Sequence, residues 1–530
     1  MPTLDWIGKN AVLNHHRAVP YHLLKCDSKL SVGDPGSGNL LVQGDNLLAL
    51  KALLPYYAGQ VKCIYIDPPY NTGDESWIYN DAVNSPEIRE WLGKTVGKEL
   101  DDLSRHDKWL CMMYPRLSLL KDFLSEDGAI FVSIDDNAVA YLRLLLDEVL
   151  GPLRFVATIA WQKRYSRENR AAIGDVHEYV IVYAKDPERF KQTRNRVPMD
   201  EKSAKPYKNP DNNPRGRWRA IPMTAQGYRP NQMYSITTPS GKVIKPPDGR
   251  CWSTLEGEYL KLREQGRIWF GKKGNSAPGI IRFLDEVEGL VPWTWWPHDD
   301  VGHTDEAKKE IRELLDTTDA FPTPKPVRLI RRILEIATNK DSLVLDSFAG
   351  SGTTGQAVLE LNKADGGNRR FLLAEMDAEI CRDATAKRLT RVVNGYNSRP
   401  AIGGGFRYCV LSSPLFDERG NIREGVTFAD LAAHVYFTET GEPIPRRAGR
   451  SPLLGVHNGK AIYLLFNGVL GDRRPAGGNV LTHAVAQSLP DHPDGSGVRV
   501  VYGEACRLAA QSLKQYGITF RQIPFELKVD

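Results

Sequence analysis

Two short motifs, each placed directly after an apolar run, hold the residues most suited to chemistry. The first is Asp67-Pro68-Pro69-Tyr70, which follows the run Val61–Ile66. The second is Asp346-Ser347-Phe348-Ala349-Gly350-Ser351-Gly352-Thr353, which follows Leu343–Leu345. Short apolar runs bounded by turn residues are typical of buried strands, so we expect both motifs at strand ends. The first motif offers hydrogen-bond acceptors to an amino group, and the second offers bare backbone to a ligand.

The Asp67 motif suits an exocyclic amino group of a nucleobase. That nitrogen is a poor nucleophile because its lone pair is delocalised into the ring, and two acceptors on its hydrogens would concentrate the lone pair. The Asp67 carboxylate can supply one acceptor and the Pro68 carbonyl the other, since Pro68 and Pro69 have no competing N–H. Tyr70 offers a flat face for a base lifted out of its stack. Taken alone, the motif is equally compatible with a strand followed by a tight turn.

The glycine motif suits close approach of a nucleoside cofactor. Gly350 and Gly352 have no Cβ, so their backbone can approach a ligand or take a positive φ. The helix predicted over Thr354–Leu361 has an N-terminus that favours a carboxylate. Glu375 ends the next predicted strand, where an acidic residue suits ribose hydroxyls. The glycine spacing differs from G-x-G-x-x-G and no G-K-[ST] follows, which argues against a dinucleotide and against ATP.

Asp45, directly before the apolar helical run Asn46–Leu54, has two interpretations. Its carboxylate can contact the adenine side of a nucleoside cofactor. It can also cap the helix, because Asp is a preferred N-cap residue. Both can hold at once.

Composition bounds the class of protein. The chain has 530 residues, of which 41% are hydrophobic and 25% charged, as in an ordinary globular protein of several domains. No apolar run reaches membrane-spanning length, and the N-terminus lacks the pattern of a signal peptide. Seven scattered cysteines form no C-x-x-C, which indicates neither a zinc site nor a disulfide framework and favours a reducing cytoplasm.

Charge is distributed unevenly along the chain. Residues 161–284 hold 25 Lys and Arg against 12 Asp and Glu, a net charge of +13, which leaves −8 for the rest of a chain whose total is +5. A basic block of this kind is the electrostatic signature of a nucleic-acid surface, and Arg and Asn can read G and A edges. A solvated, partly flexible insertion would have the same composition.

Strand and helix candidates alternate on both sides of the basic block, which predicts an α/β fold with a Rossmann-like, doubly wound sheet that the insertion splits in sequence. The predicted strands are Leu40–Val42, Val61–Ile66, Ala129–Ile134, Ser342–Leu345 and Arg370–Ala374, and the predicted helices are Asn46–Leu54, Trp109–Leu124, Asn137–Leu150, Val327–Thr338, Thr354–Leu361 and Ala378–Arg391. We expect five segments: an N-terminal extension (1–39), a first core half (40–160), a target-recognition insertion (161–300), a second core half with the cofactor motif (301–411) and a C-terminal α+β segment (412–530).

The order of the motifs resembles that of the permuted β class of DNA amino-methyltransferases, in which the base-binding motif precedes the insertion and the cofactor motif follows it. More closely, the chain resembles the Mod subunit of Type III restriction-modification systems. Besides the segments around Asp45 and Asp67, the resemblance rests on Phe131–Asp136, His177-Glu178-Tyr179, Val182–Lys185, Trp295–His298, Gly302–Ala307, Phe321–Val327, Gly477–Thr482 and Ile518–Pro524. The basic insertion matches least, as expected for a region that sets the DNA sequence.

The resemblance implies a site-specific DNA methyltransferase that moves a methyl group from S-adenosylmethionine to the N6 amino group of a flipped-out adenine in double-stranded DNA. It implies that Asp67, the Pro68 carbonyl and Tyr70 hold the adenine, and Asp before Pro-Pro is more similar to adenine than to cytosine enzymes. The residues implied in cofactor binding are Asp346, Phe348, Gly350 and Gly352 in the pocket, Glu375 at the ribose, Asp45 at the cofactor adenine and Lys325 at the methionine carboxylate.

The resemblance also implies partners and a setting. Family members form dimers and recruit a helicase-nuclease Res subunit that would use ATP, and the setting is a prokaryotic cytoplasm with nucleoid DNA as substrate. The alternatives are a stand-alone DNA adenine methyltransferase, a cytosine-N4 enzyme, a DNA-recognition scaffold that has lost catalysis, and an enzyme with an RNA or protein target. The intact Asp67 motif and glycines argue against the scaffold.

Overall fold

A computed structural model describes residues 4–70, 93–94, 105–166, 172–199, 201–317, 321–417, 420–445, 451–469, 472–495 and 497–523. Pro524, the last residue of one segment quoted above, lies outside these ranges. The chain forms two compact units. The core unit comprises Met1–Asn195 with Trp293–Asp530, and the inserted unit comprises Arg196–Pro292.

The core unit is built around a ten-stranded sheet, and the predicted α/β class is confirmed. Its strands are β1 (His22–Gly33), β2 (Leu40–Gln43), β3 (Val61–Ile66), β4 (Leu124–Ile134), β5 (Phe155–Gln162), β6 (His177–Ala184), β14 (Trp295–Trp296), β15 (Leu343–Asp346), β16 (Arg370–Glu375) and β17 (Gly405–Pro414). Their spatial order is β1-β17-β2-β16-β15-β3-β4-β6-β5-β14. The strands from β17 to β4 pair in parallel, the arrangement of a doubly wound α/β sheet.

The two motif-bearing strands, β3 and β15, are neighbours in the sheet. Leu343 pairs with Val61 and Leu345 with Ile64, in parallel. Every residue of both strands is buried, as expected for parallel strands covered on both faces. The two motif strands therefore lie side by side, although the basic insertion separates them in sequence.

Each of the six predicted helices corresponds to a helix of the structure with small differences at its ends, and the described residues form further helices that were not predicted. In chain order they are α1 (Lys9–Val12), α2 (His15–Ala18), α3 (Asn46–Tyr57), α4 (Arg105–Phe123), α5 (Val139–Val149), α6 (Pro187–Thr193), α7 (Glu201–Ala204), α8 (Glu256–Glu264), α9 (His298–Val301), α10 (Thr304–Leu315), α11 (Val327–Ala337), α12 (Thr353–Asp365), α13 (Lys387–Asn394), α14 (Phe428–Thr440), α15 (His483–Ser488) and α16 (Ala510–Gln515). The predicted helix Ala378–Arg391 is a π-helix over Ile380–Ala386 that continues into α13.

The predicted segment boundaries differ from the observed ones. β6 lies at 177–184, inside the predicted insertion, but it pairs antiparallel with both β4 and β5 and belongs to the core sheet. The change after Trp161 is therefore a switch from parallel to antiparallel pairing, and the inserted unit begins only at Arg196. β1, from the predicted N-terminal extension, pairs with β17 at the sheet edge.

The remainder of the core unit is a smaller sheet that follows α14. Its strands are β18 (Leu453–His457), β19 (Lys460–Leu464), β21 (Val498–Gly503) and β23 (Ile518–Gln522), in that order, and the short strands β20 (Val480–Leu481) and β22 (Ala505–Cys506) pair with each other. Helix α14 contributes Leu431 and Tyr436 to the same apolar cluster as Ile462 of β19. In this sheet β18 and β19 pair antiparallel, whereas β19 with β21 and β21 with β23 pair in parallel, so the C-terminal segment has a mixed sheet rather than the antiparallel sheet of an α+β fold.

The inserted unit consists of short antiparallel strands around two small apolar clusters. The strands are β7 (Trp218–Pro222), β8 (Thr224–Gln226), β9 (Ile236–Thr237), β10 (Val243–Ile244), β11 (Arg250–Trp252), β12 (Ile268–Trp269) and β13 (Gly279–Phe283). One cluster contains Trp252 and Tyr259, and the other contains Trp218 and Phe283. Several aromatic residues of the basic region therefore serve packing.

One cysteine prediction is wrong. Cys26 and Cys409, partners in the antiparallel pair β1–β17, form a disulfide. They lie too far apart in sequence for any local motif to reveal them. In the described part of the chain, no group of three or more His, Cys, Asp or Glu side chains could hold a metal ion. No helix there is long and apolar enough to cross a membrane.

Candidate active site

The carboxyl ends of β3 and β15 open into a cavity of about 390 Å³ within the core unit. Parallel neighbours end at the same edge of a sheet, which is where α/β proteins bind ligands. Asp67–Tyr70 and Asp346–Ser351 both line the cavity, together with Glu375 and Lys325. The structure therefore brings most of the predicted site residues into one place.

The Asp67 carboxylate lies in a cluster of charged groups. Lys325 Nζ lies 2.8 Å from Oδ1 and 2.7 Å from Oδ2, and the Tyr70 hydroxyl donates to Oδ1 at 2.8 Å. Glu178 Oε2 lies 3.1 Å from that hydroxyl and 3.7 Å from Lys325 Nζ. Burial raises the pKa of Asp67 in spite of Lys325. Burial opposes the charge on Lys325, but Asp67 and Glu178 outweigh it and raise its pKa, so the ammonium stays charged.

Prolines hold both partners of this ion pair in place. Lys325 stands between Pro324 and Pro326, and a residue that precedes proline favours an extended backbone. The Pro69 carbonyl accepts a 2.7 Å hydrogen bond from Trp109 Nε1. Within the described ranges no donor reaches the Pro68 carbonyl, which keeps it available as an acceptor.

The glycine motif turns sharply where it lines the cavity. Gly350 has φ +50°, and a Cβ there would lie 3.2 Å from Phe321 Cζ. Its N–H donates to Glu375 Oε2 at 2.8 Å. Its carbonyl accepts from the hydroxyl of Thr385, a residue of the π-helix. Positive φ favours glycine, and Glu375 and Thr385 fix the turn from two sides.

Asp346 is a buried carboxyl group at the start of the glycine motif. Thr354 Oγ1 donates to it at 2.6 Å and the Phe348 N–H at 3.0 Å. Burial nevertheless raises its pKa to about 7. Between the ordinary pKa of 3.8 and about 7, the folded state therefore binds a proton that the unfolded state releases. Stability must fall as pH rises through this window.

We expect Asp346→Asn to gain stability relative to the wild type between pH 5 and pH 8, because asparagine cannot ionise. The gain is on the order of a few kcal/mol, at about 1.4 kcal/mol for each tenfold change in an ionisation constant. Urea unfolding midpoints at several pH values measure it. The matched control is Asp365→Asn: Arg369 lowers the pKa of Asp365, so its contribution is complete above pH 5 and the control should show a constant difference. A constant difference for Asp346→Asn would contradict the assignment.

Three predicted cofactor residues have other roles in the structure. Asp45 accepts from the N–H groups of Leu47 and Leu48 and pairs with Arg116 at 3.1 Å, so the cap interpretation is confirmed and its side chain does not line the cavity. Gly352 is the N-cap of α12, packed against Thr385 rather than lining the cavity. Lys325 faces the cavity, but its ammonium binds Asp67, where a methionine carboxylate was expected.

Several residues that line the cavity have no role predicted from the sequence. Glu178 and Lys163 come from β6 and the loop after β5, and Asn46 comes from the first turn of α3. Glu178 lies in the segment His177-Glu178-Tyr179 and Asn46 lies beside Asp45, two of the segments on which the family resemblance rests, whereas Lys163 lies in neither. Glu178 comes to lie beside the Asp67 motif because β6 pairs with β4. This placement depends on the fold and cannot be inferred from the local sequence.

Comparison of the sequence with known protein families identifies the class to which this fold and this cavity belong. The family model N6_N4_Mtase, described as DNA methylase, matches residues 61–387. This chain belongs to that family. The matched range begins with β3 and ends after the glycine motif, so it contains both motifs that line the cavity.

Among curated proteins, the chain is similar to modification enzymes. It is 35% identical over 413 residues to the Type III restriction-modification enzyme StyLTI Mod subunit of Salmonella typhimurium, covering 74% of this chain and 60% of that protein. It is 33% identical over 441 residues to the EcoPI Mod subunit of Escherichia phage P1, covering 75% and 66%. It is 29% identical to the Type II methyltransferase M.KpnI of Klebsiella pneumoniae, covering 66% and 83%. The chain thus spans less than two thirds of the length of the two Mod subunits.

Proposed function

We propose that this protein is an S-adenosylmethionine-dependent DNA methyltransferase that acts on the N6 amino group of a flipped-out adenine. One observation carries the proposal: the Asp67 motif and the glycine turn at Gly350 line a single cavity at the carboxyl ends of two neighbouring strands. Membership of the DNA methylase family supports the reaction class. Placing a donor and an acceptor group in one cavity supplies much of the rate of such a transfer.

The residues present fit S-adenosylmethionine. The bare backbone at Gly350 leaves room for a ligand, and Glu375 lies at the end of β16, where it suits ribose hydroxyls. Ser347 Oγ is buried at the cavity wall and has no hydrogen-bond partner among the described residues. A buried hydroxyl of this kind needs a partner, and a ligand amine or carboxylate would supply one. When bound, the cofactor supplies a methyl group on a positively charged sulfur.

Asp67 and the Pro68 carbonyl would accept the two hydrogens of the adenine amino group and concentrate its lone pair on nitrogen. As the nitrogen forms its bond to the methyl group it gains positive charge, while the sulfur keeps the electrons of the broken bond and becomes a neutral thioether. The nitrogen then releases one of its hydrogens as a proton to the Asp67 carboxylate or to water. The net negative charge of the Asp67–Glu178–Lys325 cluster favours the developing positive charge. Tyr70 would stack on the base, as enzymes that flip bases require.

Two system-level assignments are compatible with this reaction. The similarity to the two Mod subunits favours a modification subunit of a Type III system, which forms a dimer and works with a helicase-nuclease partner. The similarity to M.KpnI favours a stand-alone enzyme. We place the enzyme in the cytoplasm, with nucleoid DNA as its substrate. Co-purification of a helicase-nuclease with the tagged chain separates the two assignments.

The reaction is tested by modification-sensitive sequencing of DNA from a host that expresses the chain. We expect N6-methyladenine at one recognition sequence, and none in a host that carries an empty vector. N4-methylcytosine at a defined site would establish the cytosine alternative. Loss of both marks in an expressing host, with purified protein also inactive on DNA, would contradict the proposed function.

We further propose that the inserted unit recognises the DNA. It carries 17 Lys and Arg against 10 Asp and Glu, a net charge of +7. Arg219 of β7 and Arg282 of β13 are exposed and stand directly opposite each other across the strand pair. Like charges in that position destabilise a sheet. An anionic ligand such as a phosphate, bound between the two side chains, would offset this repulsion.

Replacing both residues, as Arg219→Ala with Arg282→Ala, is expected to weaken DNA binding by about tenfold or more at low salt. The slope of log K against log salt concentration should become less steep by up to about two, since each phosphate contact contributes about 0.9 to its magnitude. Binding titrations over a range of salt concentrations measure both quantities. Lys261→Ala is the control, because Lys261 already pairs with Glu258 on α8. An unchanged slope in the double variant would place the phosphate contacts elsewhere.

A further inference from the structure

Lys325 occupies the positions that a substrate base needs. Its ammonium bridges both oxygens of Asp67, the first acceptor for the amino group. It also lies 4.8 Å from the centre of the Tyr70 ring and so covers one of the two ring faces on which a base could stack. A base cannot use that face of Tyr70 and the full carboxylate of Asp67 while Lys325 stays there. Since Lys325 is buried and charged, it must move to another anion rather than to an apolar site.

Glu178 is the anion within reach. Its Oε2 lies 3.7 Å from Lys325 Nζ and 3.1 Å from the Tyr70 hydroxyl, and its side chain is 12% exposed. Its other oxygen, Oε1, lies 3.4 Å from Lys163 Nζ, which itself binds Asp175 at 2.7 Å. A small rotation of the long lysine side chain would close the gap from 3.7 Å to an ordinary ion-pair distance.

We propose that Glu178 is a positioning residue that takes the Lys325 ammonium from Asp67 when a base amino group enters the cavity. Tyr70 supports this exchange because its hydroxyl has one proton and lies between the two carboxylates. It can donate to the carboxylate that Lys325 leaves. The proposal rests on the proposed function and deepens it by adding a residue to the same site.

The charge of Glu178 matters as much as its position. Asp67 and Lys325 alone form a neutral pair, which gives little stabilisation to an amino nitrogen that becomes positive. Glu178 makes the group of three net negative, and the nearby Lys163 is balanced by Asp175. Asp135, which also lines the cavity, adds to the negative field. Removing the Glu178 charge should therefore both trap Lys325 on Asp67 and weaken the field.

The first test compares Glu178→Gln with the wild type on DNA that carries the sequenced recognition site. We expect kcat to fall by about a hundredfold, the usual loss when one preorganised electrostatic group is removed. The dissociation constants for DNA and for S-adenosylmethionine should stay within about threefold. Glu178→Asp, which restores the charge, should recover part of kcat. Asp127→Asn is the matched control: it removes a carboxylate from another buried lysine, Lys62, and neither residue lines the cavity, so kcat should stay near wild type.

Two further measurements separate positioning from a structural role. Adding Lys325→Met to Glu178→Gln should raise kcat about tenfold above Glu178→Gln alone, because it removes the trapped ammonium. In a crystal structure with DNA and the cofactor analogue sinefungin, Lys325 Nζ should lie closer to Glu178 than to Asp67. A crystal structure in which a base is bound while Lys325 still bridges both Asp67 oxygens would overturn the proposal. So would a Glu178→Gln variant as active as the wild type, provided that the wild type is itself active. An inactive wild type would instead count against the proposed function, and the crystal structure would still decide where Lys325 lies.

Discussion

Asp67→Ala is expected to lower the rate of methyl transfer by at least about a thousandfold while the protein continues to bind DNA. The carboxylate is one of the two proposed acceptors for the amino hydrogens, and it also binds Lys325 and the Tyr70 hydroxyl. Removing a group that acts in the transition state lowers kcat rather than ground-state binding, and losses of about a hundred- to a thousandfold follow from one such contact. The disrupted cluster adds to that loss.

Single-turnover transfer of a radiolabelled methyl group measures the effect, and a binding titration on the same DNA measures affinity. Asp365→Ala is the matched control, because Asp365 also pairs with a cation, Arg369, but lies outside the cavity. It should retain near wild-type activity. If Asp67→Ala kept more than about a tenth of the wild-type rate, another group would have to hold the amino hydrogens and the assigned chemistry would be wrong.

The parts of the site that the sequence predicts correctly depend on local patterns. The run Val61–Ile66 ends at Asp67 and the run before Asp346 ends at the glycine turn, so strand ends and motif residues coincide. Once both motifs stand at the carboxyl ends of parallel strands, topology brings them together. For the same reason the amino-acid sequence alone is enough to assign Glu375 and Phe348 to the cavity, which both residues line.

The parts that the sequence could not predict depend on distant pairing. The partner of Lys325 is Asp67, far away in sequence, and Glu178 joins them only because β6 pairs with β4. The disulfide between Cys26 and Cys409 follows from the pairing of the first strand with β17. Asp45 combines both kinds of interaction. The sequence predicts its local role as a helix cap, but it does not predict the ion pair of its second carboxylate oxygen with Arg116, which is distant in sequence.

Gly350→Val is expected to weaken binding of S-adenosylmethionine by about a hundredfold or more with the fold retained. Gly350 has φ +50° at the cavity wall, and a Cβ there would come within 3.2 Å of Phe321. A β-branched residue at positive φ is strongly disfavoured. The turn must therefore change shape, and the backbone N–H of residue 350 would no longer donate its hydrogen bond to Glu375. Isothermal titration calorimetry with the cofactor and thermal unfolding of the same sample give affinity and stability together.

Gly366→Val separates the effect on the cavity from ordinary backbone strain. Gly366 ends α12 at φ +67°, and a Cβ there would meet no atom within 4 Å. Both variants therefore place valine at a positive φ, one three residues before the first residue of α12 and one directly after its last residue, but only Gly350 lines the cavity. The control should lose some stability, about 1–2 kcal/mol from the left-handed backbone alone, and keep its cofactor affinity. Equal losses of affinity in the two variants, or no loss in Gly350→Val, would mean that the cofactor does not lie against the glycine turn.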